Sequence, residues 1–571
     1  MIATGAKLSK LIGHAEKQFI IPIYQRSYKW TKQNIDRLLE DLSDIDFSNS
    51  IHNHFLDSIV YSKLSVLETA SSGHSVDKYQ VIDGQQRLTT ISLLLIAIRN
   101  RLETLTEATE AERVNNLFII NKYTTNFDEG VRLRLSEADH LVYRKIVFND
   151  EITADDKKSL ISKNFNILKK HVSQMTLEEL KVLTLKFENR VDIIDTFLEA
   201  HDNPQKIFSS LNSTGKELKA SDLVKNYILM NLEPNTQIEF YNRFWLEIEQ
   251  KLRNEENILM NFLQHYLTMN TANGTVVTTS AIYDTFEKYF STQKSLYETL
   301  SDRDFIERLL RDISEYADVY KRLFLDFIHV DFSNIKNAIR KLGIESYYPL
   351  IMKIEHKCQH ETESVFHVIE NYLVRRFAVG LQAGKTKNVF AKMVKNMEID
   401  GSSSGLAQKL NKLLKAEQKQ NRFPNDQEFK ESLKYSPLYS NASTGTKYVL
   451  YKIEFYRNSQ NRTQTVNFED LTVEHILPQS EYSSLDSCWT DTFDLGECEK
   501  YTHTLGNLTL VTQEKNSQLG NRCFDVKQAI YRTDSFIGTQ EIASNYTEWG
   551  SSDIEAHADD LMQNYILKIW E

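Results

Sequence analysis

Apolar residues along the chain recur mostly at helical spacing, interrupted by a few strand-like runs. In 34–45 (NIDRLLEDLSDI) the positions of Ile35, Leu38, Leu39 and Leu42 predict a helix with one buried face. Residues 54–66 (HFLDSIVYSKLSV) and 78–84 (KYQVIDG) predict strands, joined across the Ser/Gly-rich 70–75. Leu88 to Ile98 predicts a helix with almost no polar face, hence a buried one. From 100 to about 200 the pattern is mostly helical and charged, and 236–397 reads as helix after helix. Asn212 to Gly215 predicts a turn, and Ser221-Asp222 can cap a helix running to Leu229. Leu471–Val473 and Leu508–Val511 predict two strands, Pro478 ends regular structure after the first, and a helix can start near Lys515-Asn516. The Gly/Ser-rich 400–405 (DGSSSG) predicts a linker. Together these elements predict an α+β, predominantly helical chain.

Composition narrows the class. At 571 residues, 41% hydrophobic and 26% charged, the chain has length for two or three domains with sizeable cores. Only seven prolines and eighteen glycines favour helix. No apolar run approaches the roughly 20 residues of a membrane span, and no signal-peptide layout is present, so no membrane association and a cytoplasmic location are expected. The four cysteines (Cys358, Cys488, Cys498, Cys523) form no C-x-x-C pair and are expected to be reduced thiols. Cys488, Cys498 and His503 lie close in sequence, but at spacings that match no zinc pattern.

The net charge of −11 places any nucleic-acid surface in a local patch. Charge is uneven towards the end: Arg375 to Arg462 holds seventeen Lys/Arg against seven Asp/Glu, and Thr463 to Glu571 six against nineteen. The basic stretch is either a solvated helix surface or a face that tracks phosphates.

Two clusters carry candidate chemistry. The first is VIDGQQRLTT (81–90), where Asp83, Gly84, Gln85, Gln86 and Arg87 fall at a strand-to-helix turn. Free N–H groups and the dipole of a helix start favour an anion, and Arg87 adds a donor fork suited to phosphate. The simpler alternative is an Arg87–Asp83 pair that staples the turn. The second cluster is Glu474-His475 at a strand end, Asn507 opening the next strand and Asn516 opening a helix. Phosphodiester hydrolysis can use such a set. A neutral imidazole deprotonates water, a carboxylate and an amide oxygen hold one Mg²⁺ with its waters, and a second amide orients the imidazole.

The chain resembles the GmrSD-type, modification-dependent (type IV) restriction endonucleases. The carboxy-terminal likeness, over roughly 405–571, rests on Glu474-His475-Ile476-Leu477-Pro478, Leu505-Gly506-Asn507-Leu508-Thr509-Leu510, Asn516, Phe524 and Lys527, and on 423–433 (FPNDQEFKESL). It implies a His-Me finger (HNH-type) ββα-metal nuclease domain. His475 would be the general base, Asn507 its orienting residue, and Glu474 and Asn516 ligands of Mg²⁺ or Mn²⁺. The amino-terminal likeness rests on 21–30 (IPIYQRSYKW), 81–90 and 207–226 (IFSSLNSTGKELKASDLVKN). It implies a ParB/sulfiredoxin-like α/β core with helical additions that binds and hydrolyses a nucleoside triphosphate, whether GTP, ATP, CTP or UTP. Gln25 and Arg26 would close that site over Asp83–Arg87. Asp57 stands where the family usually has Gly. The expected organisation is a nucleotide-binding sensor domain at 1–235, a helical coupling region at 236–400 and the nuclease domain at 401–571. The implied function is cleavage of modified or phage double-stranded DNA in antiphage defence, gated by nucleotide, with a homodimer compatible. The alternative is a nucleotide-switched DNA-binding protein with an idle nuclease domain.

Overall fold

The computed structural model describes residues 1–14, 17–45, 53–64, 76–121, 130–199, 201–202, 204, 207, 219–230, 232–271, 273–326, 335–439, 443–461 and 468–570. They divide into two units, Met1–Glu247 with Lys294–Leu310, and Ile248–Gln293 with Arg311–Glu571. The chain is α+β and predominantly helical, as its apolar spacing predicts.

In the first unit β1 (Ile2–Lys7), β2 (Lys17–Ile20), β3 (His54–Lys63), β4 (Asp77–Asp83), β5 (Leu133–Arg134) and β6 (Val191–Leu198) form one mixed sheet in the order β1-β6-β3-β4-β2-β5. β4 runs antiparallel to β3 and parallel to β2. It passes through Gly84 directly into the helix Gln85–Thr104. Gly84 is left-handed (φ 94°), and a Cβ there would press on the tip of the Ile59 side chain, so the turn favours glycine. Leu88, Ile91 and every residue from Leu93 to Ile98 are buried, and Ile35, Leu38, Leu39 and Leu42 of the helix Lys32–Ser43 enter the same core.

Three strands depart from the sequence reading. β5 and β6 fall where helix was expected, and β1 was not foreseen. The helix Leu177–Arg190 starts at a Thr176/Glu179 capping box, a signature its sequence carries, and runs without Gly or Pro into β6. β6 lies between β1 and β3, so partners about 190 and 140 residues away decide its conformation. The helix predicted to be capped by Ser221-Asp222 begins at Ala220, placing both residues inside its first turn. The turn predicted at 212–215 lies outside the described residues.

The second unit is helical and carries a ribbon of two antiparallel strands between its helices. The expected linker at 400–405 is a hydrogen-bonded turn within this unit. Asp400 accepts from Ser402 N (2.9 Å), and Glu361 caps the next helix by accepting from Gly405 N (2.8 Å) and Leu406 N (3.1 Å). The basic stretch divides into two kinds of cation. Arg375 and Arg376 are buried and clamp backbone carbonyls, Arg375 that of Trp570 (3.0 Å) and Arg376 that of Gln420 (2.6 Å). Lys392, Lys395, Lys412, Lys415 and Lys419 are exposed. The helices Val389–Met397 and Leu406–Ala416 that carry four of these lysines lie antiparallel. Lys409 Nζ reaches Met397 O (2.6 Å) at one end, and Lys392 lies 3.7 Å from Glu417 at the other.

The expectation of four reduced thiols is corrected. Cys488 and Cys523 form a disulfide, while Cys358 and Cys498 are free and buried. Trp489 donates to Asn521 O (3.1 Å) and Arg522 O (3.2 Å), which brings the two segments together across a separation that hid the pairing. Cys488 is thereby removed from any grouping with Cys498 and His503. No helix among the described residues is long and apolar enough to cross a membrane.

Candidate functional site

The second cluster assembles at the ribbon of β7 (Leu471–His475) and β8 (Leu508–Thr512), in which His475 faces Leu508 and Glu474 faces Thr509. Thr512 caps the following helix, Gln513–Leu519, through Lys515 N. The order strand, strand, helix is as the sequence predicts, but the connection expected to be a long loop carries the short helices Ser487–Thr490 and Leu495–Tyr501. Leu471, Val473, Leu508 and Leu510 enter one core and Val511 another, so the ribbon is packed on both faces.

His475 ends β7 and is 5% exposed. Its Nε2 lies 3.2 Å from His503 Nδ1, and the Tyr439 ring stands edge-on to it with centroids 4.6 Å apart. Burial, reinforced by His503 and Lys527, pushes the His475 pKa down to about 3, so the imidazole is neutral at pH 7.

Glu474 is also buried. Its Oε1 accepts from Lys527 Nζ (2.8 Å) and Tyr531 OH (3.0 Å). Lys527 is fully buried and donates as well to His475 O (2.9 Å) and Ile476 O (3.1 Å), tying down the backbone at the end of β7. Burial raises the Glu474 pKa and lowers that of Lys527, and their mutual attraction opposes both shifts.

Asn507 is fully buried, but its amide is spent on backbone and indole. Oδ1 accepts from Leu477 N (2.7 Å) and Trp549 Nε1 (3.1 Å), and Nδ2 donates to Leu477 O and Thr502 O (both 2.9 Å). It therefore shapes the chain just after His475, whereas the ring's neighbour is His503. Asn516 donates through Nδ2 to Val473 O (3.2 Å), which leaves its Oδ1 as an oxygen donor beside β7. A hard cation at this end of the ribbon would have one amide oxygen from Asn516 and the second oxygen of Glu474, whose first is committed to Lys527. That set suits an ion that keeps most of its waters. The sequence reading did not single out His503 or Tyr531 for this site. Tyr531 had a signal in its place, one turn beyond Lys527 on the helix Phe524–Tyr531.

The first cluster is divided by the fold. Arg87 donates to Ser58 O and lies 3.2 Å from Asp57 and 3.4 Å from Asp83. This is the stapled turn that the simpler reading offered. Burial raises the Asp83 pKa against the pull of Arg87. Gln25 is buried and donates to Val81 O (2.7 Å) and Ile82 O (3.1 Å), fastening the end of β4. Gln86 accepts from Lys29 N (2.7 Å). Arg26, Gln85 and Gln86 line one shallow cleft with Tyr28, Ser136 and Asp139. The Arg26 Nε is buried and has no hydrogen-bond partner among the described residues. Asp57 is left-handed (φ 78°) at an irregularity in the β3–β6 pairing, a conformation that glycine adopts at less cost.

The first unit is thus a sheet whose strand β4 turns into a buried helix, and the second a helical unit whose paired strands end on a buried histidine. Residues 8–229 match the GmrSD restriction endonuclease N-terminal domain, and residues 423–564 match the GmrSD restriction endonucleases C-terminal domain. The chain belongs to the GmrSD family of restriction endonucleases, and DNA is its partner. No curated protein matches it.

Proposed function

We propose that the carboxy-terminal unit hydrolyses DNA phosphodiesters by HNH-type chemistry with His475 as general base. The observation that carries this reading is a neutral, buried imidazole at the end of a strand–strand–helix ribbon. His475 takes the proton of a water as its oxygen attacks phosphorus. The P–O bond to the leaving sugar oxygen breaks, and that oxygen takes up a proton from a solvent water. Lys527 and Asn507 hold the backbone from His475 to Leu477, so little reorganisation accompanies proton transfer. Mg²⁺ or Mn²⁺, held by Asn516 Oδ1 and one oxygen of Glu474, would supply charge stabilisation for the phosphoryl oxygens. Modified or phage DNA is the substrate that this reading favours. The test is nicking of supercoiled plasmids carrying plain, hydroxymethylated or glucosylated cytosine. His475→Ala should lower the rate by roughly 10²–10⁴-fold, the ordinary contribution of a general base. An unchanged rate would remove His475 from the site.

For the amino-terminal unit we propose a nucleoside triphosphate whose phosphates lie at the start of the helix Gln85–Thr104, against Arg26. Arg26 lines the cleft, and its buried Nε has no partner among the described residues, which supports this. Arg87 shapes the turn from between Asp57 and Asp83, two carboxylates that repel phosphate. Nucleotide gating of cleavage follows as the role of this unit. Arg26→Ala should abolish binding of labelled nucleotide, and a normal isotherm would refute the assignment.

A further inference from the structure

We infer that His503 is the positioning residue of the nuclease site: its Nδ1 accepts the Nε2–H of His475 and so selects the tautomer whose Nδ1 is free to take a proton. This rests on His475 being the base.

The two nitrogens stand 3.2 Å apart, hydrogen-bonding distance for a proton that sits on one of them. The direction of the bond is decided by the task. If His503 donated, His475 would carry its own proton on Nδ1 and spend its Nε2 lone pair on the bond, leaving no lone pair for water. Only with the proton on His475 Nε2 does a base remain, and its basic atom is then Nδ1.

His503 is itself held in place. Its carbonyl accepts from Leu438 N (2.8 Å) and Tyr439 N (3.2 Å), and the Tyr439 ring stacks on its imidazole at an interplanar angle of 16°. The same tyrosine stands edge-on to His475 at 85°, so one side chain braces both rings. The residue otherwise expected to orient His475 is already engaged, because both N–H groups of Asn507 serve backbone carbonyls. Lys527 fixes the His475 backbone and leaves the ring torsion to be set by His503.

The test compares full-length His503→Ala, His503→Gln and His475→Ala. Single-turnover nicking and DNA affinity are measured for each, and the ¹⁵N shifts of labelled His475 report its tautomer. His503→Ala should cut about 10–100-fold more slowly, the usual cost of losing a partner that orients a functional histidine. Its DNA affinity should stay unchanged, and the His475 nitrogens should move from a pure Nε2–H pattern to a mixture. His503→Gln restores a carbonyl acceptor and should recover most of the rate, and it carries the test should the alanine variant fail to fold. Wild-type cutting and an unchanged ¹⁵N pattern in His503→Ala would overturn the inference, as would a folded His503→Gln that is no faster than the alanine variant. His475→Ala separates the two claims. If it cuts normally, the reading of the site fails. If it is inactive while His503→Ala is fully active, only the positioning role fails.

Discussion

Acidification should unfold the second unit earlier than its surface charge would suggest, because three of its histidines are buried in neutral form. Burial holds His265 and His557 at a pKa of about 4 and His475 at about 3, against 6.5 for a solvated imidazole. A folded-state pKa below the unfolded one means that the unfolded chain binds more protons. Stability is therefore complete above about pH 6.5 and is lost as pH falls towards the folded values. At pH 5 the folded imidazoles are still neutral, so the loss depends only on protonation of the unfolded chain. That is about 2 kcal/mol for each histidine and roughly 6 kcal/mol for the three, relative to pH 8. A loss of this size is comparable with the whole stability of many domains, about 5–15 kcal/mol. Glu474 acts in the opposite sense. Its raised pKa favours the folded state as pH falls towards that value, and it offsets part of the loss. The assay is urea unfolding at pH 7.5 and 5.0, with proton uptake measured on unfolding at the lower pH. His557 bonds to Gly506 O (2.7 Å), and His557→Gln keeps a donor there while removing the titration. That variant should abolish about a third of the acid sensitivity. A urea midpoint equal at the two pH values, or uptake of less than one proton, would refute the reasoning.

Lys527→Met strands the buried Glu474 carboxylate and should cost about 3–5 kcal/mol in the urea unfolding of the second unit, with Glu474→Gln added to it restoring much of the loss; a cost under about 1 kcal/mol would mean that the pair is not buried as described. Asp57→Gly relieves a left-handed aspartate and withdraws a carboxylate from Arg87, so it should raise stability by about 1 kcal/mol and tighten nucleotide binding, read by thermal unfolding and by titration. Changing Lys392, Lys395, Lys412 and Lys419 together to Ser should lower the slope of log affinity for DNA against log salt by about one for each phosphate no longer neutralised, and an unchanged slope would make this face a solvated surface.

Local chemistry made much of this chain legible before folding. The spacing of Ile35, Leu38, Leu39 and Leu42, the all-apolar run from Leu93 to Ile98 and the glycine at 84 each specify an element through its own dihedrals and its own exposure to water. The same holds for the order strand, strand, helix around His475, since each piece is short and ends in its own turn or cap. Tertiary structure decided what distant residues do to one another. β6 is a strand because β1 and β3 pair with it, against a local pattern that continues a helix. Arg87 is drawn between Asp57 and Asp83, so a residue whose chemistry suits phosphate is spent on the turn. Cys488 meets Cys523, Lys527 meets Glu474, and His503 displaces Asn507 as the neighbour of the His475 ring. These pairings depend on which side chains converge when apolar faces pack, and each buried donor or charge then takes whatever partner that packing supplies. Sequence spacing carries no direct record of that choice.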